Sequence, residues 1–434
     1  MNRRDVLRGI GGLALAATLP PSAPAYAHLS TANVEDWIAQ HGVPLTSTAP
    51  DAPSDDLAPF TPWIGSARVI GLGESVHGAR EELTLKHRLL RFLVEDMGFR
   101  SVAWEEDWTT GLAVDEYIRS GEGDPEELVR QMSPQWQLRE VADVLRWLRD
   151  FNVDRTNKVR FVGVEYYLTP VAAYDRVDAF VAATAPETLP QLREHLSAIR
   201  PATQNVFDHI QWYMTVPDKQ PYIEHARQVA ARVSVLPHSP DDEEFQLIVH
   251  TTQQIVSFYV HFSLPADDGL VYRDAHAAEN VKWWADWTGQ RVLYWAAAAH
   301  TATPPQLRIF VPQASDLRYP PAGSYLRDWY GDAYVSIGFT FDHGHVSTGD
   351  GAAAEMPPAR EDWFERPLRQ VAWDQLAIDM RQTPTEPVQR WLAAPMKTRG
   401  LSDAGPGSFM EGGAPADWFD LIVHRQEVTP AQTF

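Results

Sequence analysis

The stretch that decides the architecture is Ala67-Arg-Val-Ile-Gly-Leu-Gly-Glu-Ser-Val-His-Gly78. Its apolar half, 67–73, reads as a short strand bounded by glycine, because a brief apolar run between turn residues is what a buried parallel-sheet strand presents. Its polar half enters a helix over 79–97, whose Leu83, Leu89, Leu90, Leu93, Val94 and Met97 form one stripe. Outward from this unit the alternation recurs. Strands are predicted at 100–104, 159–164, 291–299, 334–341, 375–379 and 420–424, with helices at 114–118, 125–132 and 139–151. Strands alternating with helices give an α/β fold of three layers around a largely parallel sheet. Between 169 and 289 no strand is predicted. Amphipathic segments at 171–184, 190–199, 205–235, 241–262 and 273–288 instead give a helical insertion or cap.

Polar residues fall at strand ends. The first strand runs into Glu74, Ser75 and His77, the second ends Glu105-Glu106-Asp107, the third ends at Glu165, and the 291–299 strand ends at His300. In an open parallel sheet the C-terminal strand ends line one crevice, where ligands bind. Glu74 and His77 lie three apart in a glycine-flanked loop, and a carboxylate beside an imidazole holds its tautomer and raises its basicity. The competing reading makes Glu74 a helix cap and His77 a packed core residue. Ser75 lacks the nucleophile elbow Gly-x-Ser-x-Gly, since His77 stands where the second glycine belongs. Lys86 sits on the apolar stripe, so its charge either snorkels outward or points into a polar site where it would stabilise an oxyanion. Arg273-Asp274 opens a predicted helix, either as a solvated start or as part of the site.

Composition removes other chemistries. Lys and Arg number 37 against 58 Asp and Glu, a net charge of −21, which repels phosphate backbones and excludes a nucleic-acid partner. With no cysteine there is no disulfide, thiolate zinc site, iron–sulfur cluster or thiol nucleophile. His77, His300, Glu74 and Glu105, or the run Asp342-His343-Gly344-His345, offer metal-ligating groups. Neither carries a His-Glu-x-x-His signature, and 342–345 reads as a hairpin turn. No metal, nucleotide or other cofactor is expected.

The N-terminus reads as an address. Arg3-Arg4, an apolar stretch over 9–19 and Ala25-Tyr26-Ala27 make a twin-arginine signal peptide over 1–27, cleaved after Ala27. The apolar run falls short of the roughly 20 residues that span a bilayer. The expected localisation is secreted or cell-envelope, with no membrane association once the signal is removed. An N-terminal wrap follows over 28–61, with one short helix near 33–41. Residues 62–434 form a single α/β domain carrying the insertion at about 169–289.

The same residues resemble a known family. Gly71-Leu-Gly-Glu-Ser-Val-His-Gly78, with Arg80-Glu81 and the helix through Leu85-Lys-His-Arg-Leu-Leu-Arg-Phe-Leu-Val-Glu95, resembles the opening motif of the erythromycin esterase family. Glu105-Glu106-Asp107-Trp108 is similar to its Glu-x-Asp-Trp, and Phe161-Val-Gly-Val-Glu165 to its Phe-x-Gly-x-Asp. Arg273-Asp274 through Asn280 matches its Arg-Asp helix, and Tyr325-Leu326-Arg327 through Gly338-Phe339 its late helix and strand. The resemblance implies metal-independent hydrolysis of macrolide lactones on an α/β fold with helical additions. It implies His77 as the general base that activates water, with Glu74 and Glu105 orienting base and water. His300 then polarises the ester or protonates the leaving alcohol, and Lys86, Arg273, Arg80, Glu165 and Trp108 surround the substrate and its oxyanion. Three positions depart from the pattern. Ala297-Ala298-Ala299-His300 keeps one of two family histidines, Lys86 replaces an arginine, and Glu165 replaces an aspartate.

The function expected is an exported hydrolase acting on a bulky, apolar ester or lactone. One alternative is a non-hydrolytic cyclase, dehydratase or lyase of natural-product biosynthesis in the same pocket. Another is a non-catalytic protein that binds a hydrophobic ligand. Of the 16 tryptophans, Trp104, Trp108, Trp283, Trp284 and Trp295 lie beside the motifs and are candidates to wall an apolar pocket, with core packing the alternative for each.

Overall fold

The computed structural model describes residues 31–239, 241–312, 317–348, 352–400 and 407–434, and the leader expected over 1–27 lies outside them. The strands in chain order are β1 (Val43–Pro44), β2 (Val69–Glu74), β3 (Ser101–Asp107), β4 (Arg160–Glu165), β5 (Val292–Ala297) and β6 (Leu307–Phe310). They continue with β7 (Leu317–Tyr319), β8 (Tyr334–Ser347), β9 (Ala353–Met356), β10 (Gln375–Asp379), β11 (Phe409–Glu411) and β12 (Leu421–Val428). The described residues divide into two compact units, one of those up to 99 with 138–141 and those from 290 onward, the other of those within 100–137 and 142–289.

In the first unit the strands lie in the order β1-β10-β12-β8-β2-β5, with β9 beside β8. The pairs β5–β2, β2–β8 and β8–β12 are parallel, while β10 and β1 close one edge antiparallel. The second unit holds the parallel pair β3–β4, irregular between Trp104 and Asp107, with Asp107 opposite Glu165. The fold is therefore α/β with a mostly parallel sheet. From Val171 to Thr288 its second unit is helical: Val171–Thr184, Leu189–Ile199, Val206–Thr215, Gln220–Ser234, Glu243–His261 and Ala266–Thr288.

Among the boundaries that differ from the sequence reading, three involve residues named above. The segment predicted over 205–235 is two helices, because Pro217 and Pro221 cannot donate to a helix interior, and Pro221 instead starts the second one. The last insertion helix starts at Ala266, which places Arg273 inside it rather than at its opening. Residues 342–345 are not a hairpin turn. They continue β8, where Gly344 pairs with Val428 on one side and Met356 on the other, and buried Asp342 accepts from the Ala359 amide.

The helix Arg80–Glu95 buries more than its apolar stripe, since Glu82, Lys86, His87 and Arg88 are all inside. Arg88 bonds the Ser47 carbonyl and Asp56, and Arg91 the Pro50 carbonyl, which ties the segment before Thr61 onto this helix. Of the five tryptophans beside the motifs, Trp104, Trp108, Trp284 and Trp295 are core, with no exposed surface, while Trp283 is partly exposed.

Candidate active site

In the first unit, two adjacent parallel strand ends carry the candidate groups. Glu74 ends β2 opposite Ala297, which ends β5. Only glycine fits at 73, because a Cβ there would lie 2.1 Å from the Thr301 hydroxyl and 2.7 Å from the Ala298 Cα. That close approach sets the end of β2 against the one-turn helix Ala298–Thr301 bearing His300, a buried residue whose ring lies 6.4 Å from Tyr319. Gly78 is equally constrained. A Cβ on it would meet the Ser347 carbonyl at 2.1 Å, and its own carbonyl accepts from the Ser347 and Ala431 amides, both at 2.9 Å. The loop 74–78 is thus clamped at its far end by the sheet.

Within that loop His77 Nδ1 is 2.9 Å from Glu74 Oε1. Glu74 is fully buried and His77 is 9 % exposed, so the imidazole is the member of the dyad that water reaches. The Lys86 ammonium bonds the other oxygen of Glu74, lies 3.4 Å from the Ala296 carbonyl and sits 4.2 Å from the Trp295 ring centroid. With the ammonium on its other oxygen, Glu74 presents Oε1 as the acceptor to His77 Nδ1, and Nε2 is left to accept.

The second unit carries its own polar cluster at the ends of β3 and β4. Arg273 donates Nη2 to Glu105 at 2.9 Å and Nε to Glu165 at 3.0 Å, over the ring of Tyr167 at 4.5 Å. Burial opposes the charge on Arg273, but the two carboxylates outweigh it and hold its pKa well above the ordinary arginine value. Glu165 being one methylene longer than aspartate, it still reaches the guanidinium. Glu106 turns to the Ser133 amide at 2.7 Å, and Asp107 caps the helix Trp108–Ser120 through the Thr109 and Thr110 amides.

Burial pushes Glu106 up to about 8. Between the ordinary glutamate value of 4.5 and about 8 the unfolded chain releases the proton and the folded one keeps it, so stability falls as pH rises through this window. Glu106→Gln removes the titrating proton and retains the shape. Urea unfolding from pH 5 to 8 is expected to show the variant's stability declining less steeply, by up to about 1.4 kcal/mol per pH unit. An unchanged slope would locate the effect elsewhere.

Some expected site residues are placed differently. Lys86 is engaged by Glu74 rather than directed at an oxyanion. Trp108 is a core residue, its indole donating to Thr251 at 3.0 Å and packed on His250, which leaves no face for a ligand. Arg80 is half exposed and its Nε lies 3.5 Å from Glu140, which also receives the Gln432 amide. Ser75 bonds Glu82 through its hydroxyl. Glu82 was not among the residues picked from sequence. Its signal was present, since it stands three residues after the helix N-cap Ala79, the spacing at which a glutamate reaches back to cap.

A parallel α/β architecture with a buried Lys–Glu–His chain and an Arg–carboxylate cluster at its strand ends defines an enzyme-like scaffold of the hydrolase kind. The sequence model of the erythromycin esterase family matches residues 94–428, so the chain belongs to that family. The match includes Glu105, Glu165, Arg273 and His300, and begins after the 74–78 loop. The chain is similar to erythromycin esterase type II of Escherichia coli, at 24% identity covering 72% of this chain and 78% of that protein. It is also similar to the Bacillus subtilis putative hydrolase YbfO, at 20% identity over 83% and 84% of the two chains. Among solved structures, a Bacillus cereus protein superposes with a TM-score of 0.81 at 26% identity, covering 93% of this chain and 99% of that one. A mutant of the erythromycin esterase EreC in its open conformation gives 0.68 at 18% identity, over 88% and 97% of the chains, a likeness of fold.

Proposed function

We propose that this member of the family is a metal-independent hydrolase that opens a bulky, apolar ester or lactone, with His77 as the general base. Family membership supports a hydrolase of this type. The observation that carries the finer reading is the Lys86–Glu74–His77 chain, with a buried, ion-paired carboxylate on Nδ1 of an imidazole that water reaches.

His77 Nε2 takes a proton from water as the water oxygen attacks the acyl carbon. The carbonyl π bond opens to a tetrahedral oxyanion, which collapses with cleavage of the acyl C–O bond. The proton passes to the departing alcohol. Glu74 stabilises the imidazolium formed on the way, and Lys86 keeps Glu74 in place. We carry the roles of Glu105 and His300 as the family motifs imply them: Glu105 orients water, and His300 polarises the ester or protonates the alcohol. Arg273 holds Glu105 and Glu165 in one geometry.

The test is incubation of the protein with macrolide lactones and simple apolar esters in heavy-oxygen water. Hydrolysis is expected to add one water to the lactone mass and to place one labelled oxygen in the acid. Turnover to a product of unchanged mass, or one lighter by a water, would overturn the hydrolytic reading.

A further inference from the structure

Glu82 is a buried glutamate, 1 % exposed, in the first turn of the Arg80–Glu95 helix. It does not cap its own helix. Its Oε2 accepts the backbone amides of Ser75 at 3.0 Å and Val76 at 3.3 Å, and its Oε1 lies 2.7 Å from the Ser75 hydroxyl. Those two amides belong to the only residues between Glu74 and His77. One side chain therefore fixes the backbone that separates base from orienting carboxylate, while Gly78 is clamped from the other side by Ser347 and Ala431.

The charge around Glu82 is unusual. Among the described residues no cation lies within ion-pair distance of it. Lys86, one turn along the same helix, is bonded to Glu74. Arg399, the other cation facing it, bonds the carbonyls of Phe341, Asp342 and Pro357, while its backbone amide is held by Glu365. Glu74 adds a second carboxylate nearby, with the His77 imidazole beyond it. A carboxylate buried beside another, without its own cation, is costly unless it takes up a proton.

We propose that Glu82 is a positioning residue for the Glu74–His77 dyad and that it works as a neutral carboxyl. Its Oε2 receives both loop amides, and its own proton serves the contact with the Ser75 hydroxyl. Burial, the largest influence, together with the neighbouring Glu74 raises its pKa to about 8, in keeping with this arrangement. Above that pH a second carboxylate charge arises beside the dyad and opposes the oxyanion. The inference rests on His77 as the base and adds to it the group that sets its geometry.

The experiment uses the full chain, a p-nitrophenyl acyl ester as probe, and two variants, Glu82→Gln and Glu82→Leu. The glutamine reproduces the acceptor for the two amides and donates to Ser75; the leucine has similar bulk and no polar atom. Glu82→Gln is expected to keep kcat within about threefold of wild type at pH 7. Glu82→Leu should lose about 100-fold in kcat with KM changed less than threefold, the cost of a misplaced catalytic group. Raising the pH past 8 should reduce kcat/KM of the wild type and not of Glu82→Gln. Equal loss in both variants, or full activity in Glu82→Leu, overturns the proposal. Amide exchange of Ser75 and Val76 supplies a readout independent of turnover. It should be slow in wild type and Glu82→Gln and at least tenfold faster in Glu82→Leu, and equal rates in all three would also overturn it. If the wild type shows no turnover while the exchange pattern holds, it is the hydrolytic reading that fails for this probe, not the loop clamp.

Discussion

Replacing His77 with alanine is expected to reduce kcat/KM on any ester the protein hydrolyses by about 1,000-fold, within the range that a positioned general base contributes. The loop should survive the change. Gly78 is held by the Ser347 and Ala431 amides and the Ser75–Val76 backbone by Glu82, and none of these bonds involves the imidazole. His77 is hydrogen-bonded to Glu74, and Glu74 keeps its ion pair with Lys86 when the imidazole is removed. A thermal midpoint close to that of wild type, with activity lost, is therefore the expected pair of results. His77→Asn sharpens the test, because the amide can still donate to Glu74 but cannot accept a proton from water. It should be as inactive as the alanine variant. Wild-type hydrolysis by either would remove His77 from the mechanism.

Lys86→Met should have the largest effect on stability, about 3–5 kcal/mol, as expected when one partner of a buried ion pair is removed and the other charge stays behind. Both side chains are fully buried, so water cannot replace the lost ammonium. The methionine fills a similar volume against Trp295, which isolates charge from packing. The double variant Glu74→Gln with Lys86→Met carries no uncompensated charge and should recover most of the loss. Chemical denaturation of the wild type, Lys86→Met, Glu74→Gln and the double variant measures this coupling directly. A double variant as unstable as Lys86→Met alone would show that packing, not charge, governs the site. Activity should fall in Lys86→Met as well, since Glu74 loses the ammonium that fixes its position against the imidazole.

Much of the fold could be read from local signals. The run 67–73 became β2, Val159–Val164 became β4, and 375–379 became β10, because short buried strands bounded by glycine or polar turns leave few alternatives. Glu74 and His77 stood out for a related reason: titratable groups after a parallel strand face a place that the fold keeps open to ligand. Reading failed where neighbours outside the local window decided the outcome. Asp342 to His345 has turn-like composition, yet β9 and β12 pair with it on either side and draw it into a strand. Trp108 lies in a site-like motif, yet Thr251 and His250 bury it.

By itself, then, the sequence determined the α/β class, the strand-end placement of Glu74, His77, Glu105, Glu165 and His300, and the lack of any thiol chemistry. Periodicity, turn residues and composition are properties of the chain and survive without tertiary contacts. Only the tertiary structure decided which charges meet: Lys86 with Glu74, Arg273 with Glu105 and Glu165, and Glu82 with the amides of Ser75 and Val76. A buried charge takes its partner from whatever the packed elements bring within about 3 Å. Helical periodicity can put Lys86 on an inward stripe, but the partner it meets there is supplied by another strand.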